Sequence, residues 1–333
     1  MAHRTWLGAL AGAALGAVAA RAAYSAFTRR PPIGDEKTWT RTNHRGEPLT
    51  LLEGPAFVAG AGAAVALAPG LPPRARAAAV LATVGSGALG AYDDLRGATS
   101  SKGFKGHLTA LARGEVTSGA VKILGIGAAG LAAAALLPRH PGEAGRGAVS
   151  AAVDTLLDGA LIAGSANLAN LFDLRPGRAI KVGLLAGGPL LTASLVKGAT
   201  AGRTSAIDGT GLIAGRAGMA AGAGVVPGRA GVAGRAGLGA ATGAALAAVP
   251  IGAGLALLPE DLGERAMLGD AGANALGALL GVAAVAGLRR PARLVLLGAV
   301  ATLTAASEKV SFTKVIAGNP VLHRLDMLGR RPA

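Results

Sequence analysis

Cysteine is absent from the chain, which excludes disulfide frameworks, thiolate metal sites and cysteine nucleophiles. Aromatic residues are scarce, with five Phe, two Trp and two Tyr, and no dense basic run is interleaved with them. Nucleic acid is therefore not an expected partner, despite a formal charge of +15. Charge itself is thin: 15% of the 333 residues are Asp, Glu, Lys or Arg, where a soluble domain carries about a quarter. Eight of the 33 cations are lysine, and with 54 glycines and abundant alanine this is the composition of a GC-rich genome. On that ground much of the small-residue content needs no functional reading.

What is present is a series of long apolar blocks with charge confined to the gaps, the pattern of a multispanning helical protein. The expected fold class is all-α, a polytopic membrane bundle forming one integral domain over 1–333. Nine spans are expected, at 5–27, 51–69, 76–91, 118–137, 149–171, 179–196, 238–258, 271–288 and 294–306. The first ends without a small-residue cleavage site and is read as a retained helix. With the amino terminus outside, eighteen Lys and Arg fall on inner segments and twelve on outer ones, the expected direction of bias. Membrane lipids are then unavoidable partners, with anionic headgroups and phosphate-bearing substrates suiting the excess of cations. The Gly, Ala and Arg-rich segment 198–237 reads as a mobile external loop, and 307–333 as a tail on the cytoplasmic face.

Of the 18 acidic residues, 14 fall on or beside the inner face in this topology. Three sites end or open an apolar span: Asp93 with Asp94, Asp173, and Asp270. Brought together, such carboxylates repel unless a hard cation sits between them. Each also has a plainer reading, since Asp-Asp suits a solvated helix end and Asp270 suits an N-cap. Asn167 and Asn170 carry more weight. They lie three apart on the fifth span, with Asp173 three further on, so a polar stripe interrupts an apolar helix and suggests a polar cavity. Asp154 and Asp158 form an i,i+4 pair near the outer end of the same span and would need a partner if buried in the membrane.

Ala91-Tyr92-Asp93-Asp94, the run from Asn167 to Asp173, and Met267-Leu268-Gly269-Asp270-Ala271-Gly272 onward to Gly277 resemble three ordered motifs of one family. It is the polyprenyl-phosphate N-acetylhexosamine-1-phosphate transferases, which include the phospho-N-acetylmuramoyl-pentapeptide transferase of peptidoglycan synthesis and the N-acetylglucosamine-1-phosphate transferases. Order, spacing and sidedness agree over residues 30–326. The resemblance implies transfer of a sugar 1-phosphate from a uridine diphosphate sugar to polyprenyl phosphate, with Mg²⁺ as cofactor, at the cytoplasmic face of the cell membrane. It implies Asp270 as the Mg²⁺ ligand, Asp94 as a support for metal and phosphate, and Asp93 as the base or orienter for the lipid phosphate. Asn167, Asn170 and Asp173 would line the nucleotide pocket. Lys102, Lys105 and Lys122 are candidate phosphate-binding cations, Lys105 and Lys122 foremost. Arg41 and Arg45 lie where the family's first cytoplasmic loop meets substrate, with His44 between them.

The chain also departs from the family. Leu174-Arg175-Pro176-Gly177-Arg178 stands where a second nucleotide-side Asp is usual. Near the carboxyl end the family's histidine cluster is reduced to His323, followed by Arg324, which can still bind phosphate bidentately. The usual tenth span has no counterpart. These departures support an alternative, a non-catalytic relative that binds lipid phosphate or a cell-wall assembly partner. A second copy of the chain is a further partner this reading admits.

Overall fold

A computed structural model describes residues 2–43, 45–96, 106, 109–110, 112–140, 143, 147–215 and 228–331. Helices fall on all nine expected blocks: α1 (Ala2–Arg29), α3 (Glu53–Leu67), α4 (Pro73–Arg96), α5 (Ser118–Leu136), α6 (Ala148–Phe172), α7 (Arg178–Gly215), α8 (Gly228–Leu262), α9 (Gly269–Gly287) and α10 (Arg290–Ser307). A one-turn helix α2 (Glu36–Trp39) and two tail helices, α11 (Phe312–Gly318) and α12 (Pro320–Met327), complete the described set. The chain is thus a multi-pass helical membrane protein. Among the described residues six helices are long and apolar enough to cross a bilayer, and α10 with α11, bent by 96° at their junction, would make a seventh. Two expected spans fall short for different reasons. Helix α3 has only 15 residues, and α4 carries arginines in its first turn and the Asp93-Asp94-Leu95-Arg96 run in its last.

The segment expected to be an external loop is helical over much of its length, since α7 runs to Gly215 and α8 starts at Gly228. Glycine lowers helix propensity by about 1 kcal/mol per residue, but the flanking helices carry the fold through it. Residues 216–227 lie outside the described part.

Helix α9 is the axis of the bundle and packs against α3, α4, α6, α7 and α8, and more lightly against α5. Its close neighbours reach it through glycines, because in lipid two helices gain from approach of their backbones rather than from escape from water. A methyl group built on Gly90 of α4 would lie 2.2 Å from the Asp270 carbonyl oxygen, and one on Gly277 of α9 would lie 2.1 Å from that of Ser165. Helices α1 and α8 meet the same way, with Gly16 against the Val249 carbonyl. These particular glycines have a packing role.

At the end of the bundle where α9 begins, the chain makes the one small sheet of the described structure. Strands β1 (Thr40–Thr42) and β2 (Pro48–Thr50) pair antiparallel, with Arg41 opposite Leu49. Thr50 then bridges to Ala266, so the hairpin is stitched to the turn between α8 and α9. Trp39, Leu49, Leu51 and Leu52 bury themselves against Phe27, Leu95 and Met267, which fixes the hairpin over the tip of α4.

Candidate active site

Asp93 and Asp94 sit in the last turn of α4, Lys122 in the first turns of α5, and Asp270 in the first turn of α9. The Lys122 ammonium bridges two carboxylates: its Nζ lies 2.6 Å from Asp93 Oδ2 and also pairs with Asp270 Oδ2. Asp94 faces the other way round the helix and does a different job. Its Oδ1 accepts from the Asp270 amide at 3.0 Å and its Oδ2 from the Ala271 amide at 2.9 Å. It therefore caps α9 from another helix, meeting two donors that no residue of α9 itself could satisfy, since Leu268 at the N-cap has no side-chain acceptor. Gly269 turns at φ +58 directly beneath that carboxylate, a left-handed conformation that suits glycine.

Helices α6 and α9 run antiparallel, with Gly281 against Ile162 and Gly277 against Ser165 and Ala166. Continued along the same register, Asn170 stands level with Asn274 and Asp173 with Asp270. Asn274 is 1% exposed and neither atom of its amide has a hydrogen-bond partner. Asp173 is buried too, and neither oxygen accepts a hydrogen bond of normal geometry, although the Gly269 amide lies close enough to favour its charge. Burial, and then the charges of Asp261, Asp270 and Asp94, push the Asp173 carboxyl well above the usual range. Glu53 at the start of α3 and Asp261 near the end of α8 are also fully buried. Both Glu53 oxygens and one of Asp261 lack a partner. Unsatisfied carboxylates of this kind are expensive to bury in charged form.

The expected residues divide accordingly. Asp93, Asp94, Lys122 and Asp270 converge, with Asn170 and Asp173 on the adjoining face of α6 and Asn167 one turn deeper, half-buried. Arg41 reaches the cluster through the backbone, its guanidinium donating to the Asp94 carbonyl. Arg45 is turned away from it and pairs with Glu264 at 3.2 Å and with the Arg331 carbonyl. Glu264 holds a φ of +57, strained for a long side chain, and also accepts from Asn43. His323 and Arg324 are exposed on α12, and neither side chain forms an ion pair or hydrogen bond with the carboxylates. No bond in the described structure ties either of them to the cluster. Lys102, Lys105 and His44 lie outside the described residues.

Sequence reasoning passed over Asn274, Glu53 and Asp261. Asn274 was legible in principle, being one helical turn from Asp270 on the same face. Asp154 and Asp158 have partners at the far end of the bundle: Arg290 Nε lies 2.6 Å from Asp154, and Arg293 pairs with Asp158 and with Glu143 at 2.5 Å.

Among the described residues no three carboxylate or imidazole groups converge closely enough to enclose a metal ion by themselves. The donors present nevertheless fit a hard divalent cation. Neither oxygen of Asp173 has a hydrogen-bond partner, while Asp270 shares its carboxylate with Lys122, and Mg²⁺ prefers one or two protein carboxylates with water and substrate phosphate completing its shell.

Beside the polar end, an apolar cleft of about 740 Å³ opens between α6, α7, α9 and α10. Leu168, Ala169 and Val182 line it near the carboxylates, and Leu288 and Pro291 line it at the opposite end. The chain matches no protein-family model and no curated protein.

Proposed function

We propose that this protein is a phosphoglycosyl transferase of the cytoplasmic membrane face, moving a sugar 1-phosphate from a uridine diphosphate N-acetylhexosamine to polyprenyl phosphate. The observation that carries the reading is the Lys122 bridge between Asp93 and Asp270, beside the Asp94 cap. Residues far apart in sequence meet at one end of the bundle, where a diphosphate and a phosphate would have to be held together. The apolar cleft supports it, since an isoprenoid chain lying there would bring its phosphate to the carboxylate end.

Two phosphorylated reactants repel each other, so catalysis is mostly neutralisation and alignment. Asp270 would hold Mg²⁺, with Asp94 supporting it from the cap on α9, and the ion supplies charge neutralisation on the diphosphate when bound. Lys122, released in part from Asp93, would meet the acceptor phosphate. Asp93 would orient that phosphate and take any proton left on it. Attack by a lipid-phosphate oxygen forms the new phosphorus–oxygen bond on the sugar-bearing phosphorus. The bond to uridine monophosphate breaks, and the electron pair leaves with it. Asn167, Asn170 and Asp173 would hold the nucleotide, with Asn274 completing that wall.

Purified protein supplied with Mg²⁺, polyprenyl phosphate and a panel of uridine diphosphate sugars should release uridine monophosphate. Absence of release with every sugar, where a reference enzyme works, sinks the reading. The second reading, a non-catalytic relative that binds lipid phosphate, is favoured by the exposure of His323 and Arg324 away from the cluster. A relative of that kind would ignore uridine nucleotides in a binding titration.

A further inference from the structure

The turn that replaces the family's second nucleotide-side carboxylate builds something of its own. Gly177, at φ +69, donates its amide to Asp261 Oδ1 at 2.7 Å and sets the start of α7. Arg178 then opens that helix with its side chain 5% exposed. Its guanidinium grips Asp326 of the tail with two parallel bonds, Nε to Oδ1 at 2.7 Å and Nη2 to Oδ2 at 2.9 Å, and its Nη1 donates to Thr313 Oγ1 at 3.0 Å. Lys181, one turn on, donates to the Asp326 carbonyl at 2.6 Å. Arg330 adds a third cation, 3.2 Å from Asp326 Oδ2, and its buried Nε has no partner.

Asp326 is the one buried residue of α12, so the tail helix is held to the bundle by a carboxylate in a cationic cradle. The charges divide in a telling way. Asp326 and Arg330 form an i,i+4 pair, so the carboxylate keeps a counter-ion of its own when the tail leaves. What stays behind on α7 is Arg178 and Lys181, two cations at the amino-terminal turn of a long helix, with Asp261 beside them already holding the Gly177 amide. A phosphate monoester carries close to two negative charges and presents three acceptor oxygens, a better match to that pair than the single carboxylate now seated there.

We infer that the entrance to α7 is a phosphate-binding subsite built by Arg178 and Lys181, which the chain's own tail occupies through Asp326 until a phosphate monoester displaces it. The subsite does not depend on the transferase reading, because phosphate binding here requires no turnover. It also gives the tail a function: with Asp326 displaced, Arg331 loses its hold on Glu47, and the contact between tail and hairpin opens.

Hydrogen exchange on the full chain in neutral nanodiscs tests this directly. Inorganic phosphate, against chloride at matched ionic strength, should speed exchange across 319–331 and leave α9 unaffected. Uridine monophosphate in neutral nanodiscs and phosphatidic acid built into the nanodisc separate the two sources of the group. Acceleration by the first assigns a soluble ligand, by the second a lipid, and by neither overturns the inference. Asp326→Asn should tighten phosphate binding about tenfold by removing the internal competitor, and adding Arg178→Gln should reverse the gain. Unchanged affinity in Asp326→Asn would also overturn it. If that variant does not fold, the exchange measurement on the unaltered chain decides. Release of uridine monophosphate is measured separately, so the two readings fail independently.

Discussion

Asp94 and Asp270 are neighbours in space with different obligations. The Asp94 carboxylate holds two amides of α9, whereas Asp270 contributes its amide to that cap and keeps its carboxylate for Lys122. Asp94→Ala should therefore cost about 1–2 kcal/mol of stability, as loss of a helix cap does, and lower the thermal midpoint in detergent. Asp270→Asn should hold the midpoint within a few degrees while reducing uridine monophosphate release by about 10²-fold or more. Asp173 gives the opposite sign. Its carboxyl is raised well above the ordinary value of 3.8, so the folded state binds its proton more tightly than the unfolded chain does. That favours folding below the unfolded value and is lost as pH rises through the folded one. With a chelator present, Asp173→Asn should raise the thermal midpoint at pH 7 and change it little near pH 3, while weakening uridine nucleotide binding. A lower midpoint at pH 7 would show that the carboxylate is paired after all.

Between helices, the decisive contacts are backbone to backbone. Gly277→Ala places a methyl group 2.1 Å from the Ser165 carbonyl, which can retreat only by parting α6 from α9, and should cost about 1–3 kcal/mol. Gly298→Ala meets nothing within 4 Å and sits mid-helix in α10, so it should be neutral or gain up to about 1 kcal/mol. Parallel thermal melts of the two variants check both. Sequence alone separates them poorly, because each is a glycine in an Ala-rich apolar run, and only the partner helix distinguishes a seam from a lipid face. Helix positions were legible for the same reason that seams were not: apolar blocks are local, and pairings such as Gly90 with Asp270 span 180 residues. The hairpin over Arg41 was hidden as well, its strands being three residues each and secured by Trp39 and the bridge to Ala266.

Taken as a whole, the molecule keeps its polar chemistry at two ends. One end gathers Asp93, Asp94, Lys122, Asp270, Glu264 and the tail; the other holds the Arg293 network with Asp158 and Glu143. This division was legible, because the motifs fall at alternating ends of successive apolar blocks. The docking of the tail was not, since the Arg178 to Asp326 pairing joins residues that no local pattern connects. The absence of cysteine makes the division testable. Single cysteines at Arg113 and Arg265 should react with a membrane-impermeant maleimide from one side, and those at Val149 and Arg289 from the other. Labelling of Arg113 and Arg265 from opposite sides would break the topology and the transferase proposal with it.

At its far end α9 is also clasped, with the Val285 carbonyl bonded to the His140 ring at 2.9 Å and that of Gly287 to Lys197 at 3.0 Å. A rod of 19 residues, about 28 Å long, is thus pinned at both tips and flanked by six neighbours. Loss of the Asp94 carboxylate would therefore free one tip only, since His140 and Lys197 still hold the other.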